Sequence, residues 1–496
     1  MRNKKRSQHR TTRWNRYSIA LGQVGLVLLT GCTVGPKYKT PTAALAPSFS
    51  EAAPSTKDWK AGQPRDTDHK GEWWRVFEDQ PLNDLEAQIA GANQDLKTAE
   101  AHFNIARGVV RGARASYLPS ADAGVSAGTV RTSANAPYFL TDLANNGSPN
   151  FSLPIDLNYE LDLWGRVRHE VADARAQAQA SAADLENVRL SLHAELALDY
   201  FALRGADAQA QLFDRTIKAY EDALQLTKDR FQGGLAISSD VAQAETQLEQ
   251  AHVQRIDVDV KRRQLEHALA VLVGQPPEAV HIPVQPLSVN PPAIPVLQAG
   301  VPSELLERRP DIAAAERRVA SANEQIGIAK AAYFPTLSLS ALMGIQSTSA
   351  SNWFSWPSRM WAVGPSVSQS VFDGGRRRAA SEQARANYDA TISTYRQTTL
   401  QAFQQVEDNL AAQKLLGEEA TRQHRATMAS LEALDTFQSR YQGGLGLYLE
   451  VVTSQTTALI NQRTEIELTT RRLDASVLLI KALGGSWDKN QLPRKP

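Results

Sequence analysis

The chain has 496 residues, 42% hydrophobic and 22% charged, which is room for two or three ordinary domains. Its formal charge of +1 conceals seven basic side chains and no acid within residues 1–31. The remainder is mildly acidic, a balance that argues against a nucleic-acid partner, and the single cysteine excludes a disulfide within the chain.

Residues 1–31 read as an export signal. A basic stretch, Arg2 to Arg16, leads into the apolar run Tyr17–Leu29. At about 13 residues this run is too short to cross a bilayer as a helix, but it suits the hydrophobic part of a signal peptide. The plain reading is a signal that happens to end near a cysteine. Leu29-Thr30-Gly31-Cys32, however, resembles the bacterial lipobox, which implies that Cys32 becomes the acylated first residue of the mature chain. Thr33, where an Asp would favour inner-membrane retention, favours the outer membrane. Residues 32–81 are then expected to be a lipid-anchored, extended segment. One acyl chain anchors only marginally, so further anchoring is expected from more acylation or from the fold.

The rest of the chain is a tandem duplication. Ala115-Ser116-Tyr117-Leu118-Pro119 returns as Ala331-Ala332-Tyr333-Phe334-Pro335, and Asp95–Glu100 returns as Asp311–Glu316, both 216 positions on. Trp164-Gly165-Arg166 is followed 210 positions later by Gly374-Gly375-Arg376, and RFQGGL at Arg230–Leu235 by RYQGGL at Arg440–Leu445. The change of offset places six extra residues in the first copy, between the Tyr-x-Pro and Gly-Arg sites. Length differences concentrate in exposed loops, so a loop tip is expected there.

Each copy, 82–275 and 302–484, predicts the same elements. A helix runs through about 82–116 in the first and 302–333 in the second. A β-hairpin follows, about 118–164 and 335–374. In Phe151–Leu163 the odd positions are apolar and the even ones mostly polar, a period of two. That pattern suits a tilted bilayer-crossing strand with odd residues toward lipid and even ones toward a wet lumen. It would also suit a half-buried sheet with one wet face. The second copy alternates more weakly at Leu337–Ile345, with Val363, Val367 and Val371 marking its returning strand. Trp353, Phe354, Trp356 and Trp361 gather near its tip as an aromatic girdle would. Next come two proline-free helices, 165–232 and 375–442, each about 100 Å long. Val171, Ala174, Ala178, Leu185, Val188 and Leu192 form a coiled-coil seam on the first. Gly233-Gly234 and Gly443-Gly444 supply left-handed caps, and return helices run about 239–274 and 447–484. Residues 276–301 are a proline-rich linker and 485–496 a tail.

No catalytic or metal-binding pattern is present, and the chain reads as a non-enzyme without cofactor or metal, apart from covalent lipid on Cys32. His193 and His267 stand singly on helices and read as packed or solvated. Arg376-Arg377-Arg378 could meet phosphate or lipid headgroups, or simply be solvated.

Together, the lipobox, Gly35-Pro36-Lys37-Tyr38 after it, the paired Tyr-x-Pro sites and the twin glycine turns resemble the outer membrane factor family, the TolC-like exit ducts of bacterial efflux pumps. The resemblance covers nearly the whole mature chain. It implies a homotrimer in which each chain gives four strands to one twelve-stranded membrane β-barrel and its helices to a coiled-coil periplasmic tunnel. Open strand edges are not tolerated in lipid, so four strands alone could not span it. The partners implied are outer-membrane lipid, a periplasmic adaptor and an inner-membrane transporter, and the function is passive efflux of small molecules. Carried over residue by residue, the gate rings fall at Glu450 and Thr453, with Leu449 as an apolar plug. The usual second acid is absent at Thr453. A tyrosine–aspartate latch matches Tyr441 and Asp240, while another latch position, arginine elsewhere, is Gly446. Crowded Glu450 carboxylates would attract cations and raise one another's pKa. Asp240 and Glu450 could equally serve helix starts, where acids are favoured anyway. The tips Gly234, Leu235, Gly444 and Leu445 match adaptor contacts, besides their turn chemistry. Two rivals are a duct for protein secretion and a pore-less, lipid-anchored coiled-coil scaffold. The alternation in Phe151–Leu163 argues against the scaffold.

Overall fold

Long alanine-rich, proline-free stretches have nothing to interrupt the backbone ladder, and the structure, a computed structural model, is dominated by them. It describes residues 33–42, 49–51, 72–131, 133, 147–287 and 309–485. Cys32 and the signal segment lie outside these residues. The helices are α1 (Gln80–Ala92), α2 (Gln94–Ala115), α3 (Arg166–Gln232), α4 (Ser238–Leu272), α5 (Pro310–Ala331), α6 (Arg376–Gln442) and α7 (Tyr448–Ala482). The strands are β1 (Ser120–Ala123), β2 (Ser126–Val130), β3 (Ser148–Leu161), β4 (Thr336–Ser347) and β5 (Arg359–Ser368). No described helix is long and apolar enough to cross a membrane.

The duplication holds to the residue. Helices α3 and α6 start and stop 210 positions apart, as do α4 and α7, while α2 and α5 are 216 apart. Both long helices start after a left-handed glycine, Gly165 (φ 86°) and Gly375 (φ 93°). Two expectations change. The helix expected over about 82–116 is broken at Asn93, whose backbone is extended (ψ 129°). Its side chain accepts from Leu96 N–H (2.9 Å) and donates to the Leu272 carbonyl (2.8 Å), so it caps α2 and ties the break to the end of α4. The returning strand stops at Ser368, and Val371 lies beyond it, almost fully exposed. Of the basic cluster, Arg377 pairs with Asp373 and Arg378 with Glu382, and Arg376 and Arg378 stay exposed, as the solvated reading has it.

The core sits at mid-height of α3. Leu192, Leu196, Tyr200 and Leu203 pack there against Trp74 and Phe77, against Leu82 and Ile89 of α1, and against the ends of α4 and α7. Each such side chain contributes about 2 kcal/mol by leaving water. Nearby, buried charges fasten the start of the proline-rich linker. Arg262 donates to Asp207 (2.6 Å) and to the Ile282 carbonyl (2.7 Å), and Glu266 accepts from Ile282 N–H (2.9 Å). Arg204 donates to the Pro283 carbonyl (2.7 Å). Every buried charge in this net has an opposite partner, the condition under which buried charge is tolerated.

The residues after Cys32 lie as a strap along α5. Val34 N–H bonds the Trp164 carbonyl (3.1 Å), His169 Nε2 donates to the Val34 carbonyl (3.1 Å), and Asn323 donates to the Pro36 carbonyl (3.1 Å). Glu324 holds the other ring nitrogen of His169 at 2.5 Å and raises its pKa. Tyr38 donates to Glu316 (2.5 Å). The strap therefore starts beside Gly165, where β3 passes into α3.

Candidate functional site

Two regions carry functional chemistry: the sheet at one end of the long helices and the turns at the other. The sheet is antiparallel, with β1 and β2 both on β3, then β4, then β5. β1 and β2 keep one register on β3, Ala123 opposite Ile155 and Ser126 opposite Ser152, so they form one interrupted strand. The interruption lies opposite Pro154, which has no N–H to give the ladder; Gly124 N–H still reaches its carbonyl at 3.0 Å. Each chain thus has four strands, and its outer edges have no partner among the described residues.

The register sorts the two faces. Residues directly opposite one another share a face. Leu153, Ile155, Leu157 and Tyr159 pair with Ile345, Met343, Ala341 and Leu339, and these in turn with Arg359, Trp361, Val363 and Pro365. The other face carries Asp156, Asn158 and Glu160, opposite Leu342, Ser340 and Ser338, with Ser366 opposite Ser338 in turn. The weak alternation of β4 is therefore in phase with the strong alternation of β3. Trp353 packs on Phe151 near the second hairpin tip (5.5 Å), and Trp356 and Trp361 project outward.

At the far end, both glycine turns close the long helices in the same way. Leu235 N–H bonds the Arg230 carbonyl (2.8 Å) and Gly234 N–H the Phe231 carbonyl (3.0 Å); Leu445 and Gly444 repeat this on Arg440 (2.8 Å) and Tyr441 (3.0 Å). This is the Schellman arrangement, and only the second glycine of each pair, Gly234 (φ 72°) and Gly444 (φ 76°), needs the left-handed region. Gly233 and Gly443 are right-handed. Leu235 and Leu445 project from the turns, 75% and 77% exposed.

Asp240 and Glu450 are equivalent residues, each third in its return helix. The Glu450 carboxylate accepts from Leu447 N–H (3.3 Å), one half of a capping box whose other half, to Glu450 N–H, a leucine side chain cannot make. Asp240, one methylene shorter, makes no side-chain hydrogen bond among the described residues. Leu449, Thr453 and Thr457 share one exposed face of α7. Both threonine hydroxyls are bonded within the helix, Thr453 to the Leu449 carbonyl and Thr457 to the Thr453 carbonyl (2.8 Å each). That face presents methyl groups and no charge. At Gly446 an added Cβ would stand 3.1 Å from the Glu450 carboxylate and 3.3 Å from the Tyr441 backbone nitrogen.

Tyr441 is buried, and in one chain its hydroxyl meets Thr227 (3.5 Å), not Asp240. Tyr448 packs on it (5.4 Å) and has its own pKa pushed up to about 12, first by burial and then by Tyr441, Tyr220 and Asp240. A residue that sequence reasoning passed over stands at the centre: Arg230. Its guanidinium lies over the Tyr441 ring (4.5 Å) and donates to the Tyr441 carbonyl, clasping the first tip to the second. The signal was in plain view as the first letter of RFQGGL, but nothing in the sequence says which tip it reaches. His193, by contrast, is packed: Trp74 stacks on it (4.4 Å) and Glu86 bonds it (2.6 Å). His267 is exposed.

A family model described as outer membrane efflux protein matches residues 86–275 and 301–485. The chain is 32% identical to outer membrane protein OprJ of Pseudomonas aeruginosa, over 94% of this chain and 96% of that one. It is 31% identical to the toluene efflux pump outer membrane protein TtgF of Pseudomonas putida, over 95% and 96%. Among solved structures, the outer-membrane channel OprN superposes with a TM-score of 0.82 at 30% identity, over 92% of this chain and 99% of that one.

Proposed function

The chain belongs to the outer membrane efflux protein family, and from that premise we propose that three copies build a gated exit duct of a tripartite pump. Its place is the outer membrane, with the helices extending into the periplasm, and its role is efflux. In the proposed assembly, three four-stranded sheets close a twelve-stranded barrel, with the apolar face of β3, β4 and β5 toward lipid and the Asp156–Glu160 face toward a water-filled lumen. Cys32, acylated, adds an anchor where the strap leaves the sheet end. Passage is passive and involves no enzymatic step or cofactor. Solute arrives from an inner-membrane transporter through a periplasmic adaptor, which the exposed Leu235 and Leu445 at the tips are suited to meet, with Gly234 and Gly444 shaping the turns.

The single observation that carries this reading is the register, which sets Leu153, Ile155, Leu157 and Tyr159 with their apolar partners on β4 on one face of an open-edged sheet and Asp156, Asn158 and Glu160 on the other. A scaffold without a pore has no use for such a sheet. The gate lies at the tips: Leu449 and Thr453 narrow the axis, Glu450 sets its charge, and the clasp of Arg230 on Tyr441 holds it. Single-channel recording from the purified protein in a planar bilayer tests this. Small, cation-selective steps are expected, rising when the Arg230–Tyr441 clasp is removed. A folded sample that conducts nothing would overturn the duct.

A further inference from the structure

The strap that begins at Thr33 is fastened first by an imidazole in a slot between two glycines. An added Cβ on Gly327 of α5 would stand 2.6 Å from ring atoms of His169, and one on Gly35 would stand 3.3 Å from Nε2 and 3.0 Å from the Gly327 Cα. Such close packing leaves the His169 side chain, 11% exposed, little room to turn. Its two nitrogens face two acceptors, the Glu324 carboxylate at Nδ1 (2.5 Å) and the Val34 carbonyl at Nε2 (3.1 Å). Only the imidazolium carries a donor on both nitrogens. The duplication does not call for this arrangement, since the residues equivalent to His169, Glu324 and Gly327 are Ala379, Gly108 and Arg111. The imidazole answers to the strap rather than to the repeat.

The other charges around the ring are accounted for. On α3, Arg166 pairs with Glu160 and Glu170, Arg168 pairs with Asp162, and Asp173 accepts from Ser321. On the strap, Lys37 and Lys39 are exposed. Helix α2, which packs on α3 through Val110, has Arg111 and Arg114 near its end. The hydrogen bond to Glu324 raises the pKa of His169 above its ordinary 6.5, against burial, with smaller help from the Val34 carbonyl and Asp162. A raised value means that the stabilisation is fully present below 6.5 and is lost as pH rises through the folded value.

We propose that His169 is a pH-operated clip on the strap: doubly protonated, it joins Glu324 of α5 to the Val34 carbonyl, and on losing one proton it lets the start of the strap go. The proton that stays is the one on Nδ1, because a carboxylate holds it more strongly than a carbonyl does. Nε2 then presents a lone pair to the Val34 carbonyl oxygen, and the two acceptors repel. The ring cannot turn away, because the slot is closed by Gly35 and Gly327. Asn323 on the Pro36 carbonyl and Tyr38 on Glu316 keep their own bonds, so the release starts at the Val34 end. All these contacts lie within one chain, and the clip is independent of the assembly proposed above.

The test is limited trypsin digestion of the full chain across the range in which histidine titrates, about pH 5.5 to 9. Lys37 and Lys39 are the tryptic sites of residues 33–42. Cutting there is followed by mass spectrometry and divided by the rate on a small peptide at the same pH, which removes the protease's own pH dependence. Wild type should be cut about tenfold more slowly at the acid end than at the alkaline end, the scale of one charge-assisted hydrogen bond. Glu324→Gln keeps an acceptor at Nδ1 but removes the charge, so the midpoint should move to lower pH. His169→Gln should be cut at the wild type's alkaline rate throughout. A wild-type profile that stays flat overturns the clip, and so does a midpoint that Glu324→Gln leaves in place. If His169→Gln fails to fold, the wild-type profile and the Glu324→Gln shift decide the matter by themselves. A flat profile in a protein that still conducts sinks the clip alone and leaves the duct standing.

Discussion

The two helical hairpins share boundaries, caps and turn hydrogen bonds, yet their equivalent side chains lead different lives. Arg230 clasps Tyr441 of the other unit, while Arg440 lies over its own Phe437 (6.0 Å). Tyr441 is buried, and its equivalent Phe231 is 47% exposed. At mid-height, His193 bonds the buried Glu86, whereas its equivalent Phe403 packs on Phe49 (6.4 Å). Duplication preserves backbone geometry because the same turns and caps are needed twice. It does not preserve side-chain surroundings, because the two units meet within the chain through different faces, α3 of unit one against α5 and α7 of unit two.

The mid-height difference gives the largest expected effect. Burial pushes the Glu86 carboxyl up to about 9 and the His193 ring down to about 4, so both are neutral near pH 7. The Glu86 contribution is fully present below its unfolded value of 4.5 and is lost as pH rises toward 9. That of His193 is present above 6.5 and is lost as pH falls toward 4. Stability should therefore decline between pH 6.5 and 9, by roughly 3 kcal/mol at most. Glu86→Gln should flatten that alkaline decline in apparent Tm and, by removing the opposing Glu86 slope between pH 4.5 and 6.5, uncover the His193 loss as pH falls there; an unaltered slope would mean Glu86 is ionised in the fold.

Next come the turn glycines. Gly234→Val and Gly444→Val should each cost about 1–2 kcal/mol, since both force a branched side chain into the left-handed region. Thermal melts of the two variants should nearly coincide, and a wide gap would break the equivalence of the turns. The arginines should not coincide. Arg230→Ala removes a ring contact and a charge-assisted hydrogen bond, about 1–2 kcal/mol, and should raise conductance by loosening the clasp. Arg440→Ala should do little to the separated chain. Equal effects would show that the clasp is not what distinguishes the tips.

The smallest effect expected is at the paired acids. Glu450→Gln weakens the bond to Leu447 N–H and should cost about 0.5–1 kcal/mol, with lower cation selectivity in bilayer recordings. Asp240→Asn, which breaks no such bond, should be closer to neutral in stability. If Asp240→Asn instead opens the channel, the aspartate acts across a contact made only in the assembly.

By itself, the sequence determined the duplication, the long helices, the glycine turns and the alternating faces, because each depends on local chemistry: a missing proline, a residue tolerant of positive φ, a period of two. Reading α1 and α2 as one helix failed because Asn93 is a capping residue whose second partner, the Leu272 carbonyl, lies far along the chain. The site was legible in outline only. Tyr441, Glu450 and Leu449 could be named in advance, but Arg230 as the partner of Tyr441, the neutral Glu86–His193 pair and the phase of β4 against β3 were decided by tertiary structure. Pairing across some two hundred residues is a question of which surfaces meet, and equivalent sequences in the two units meet different neighbours.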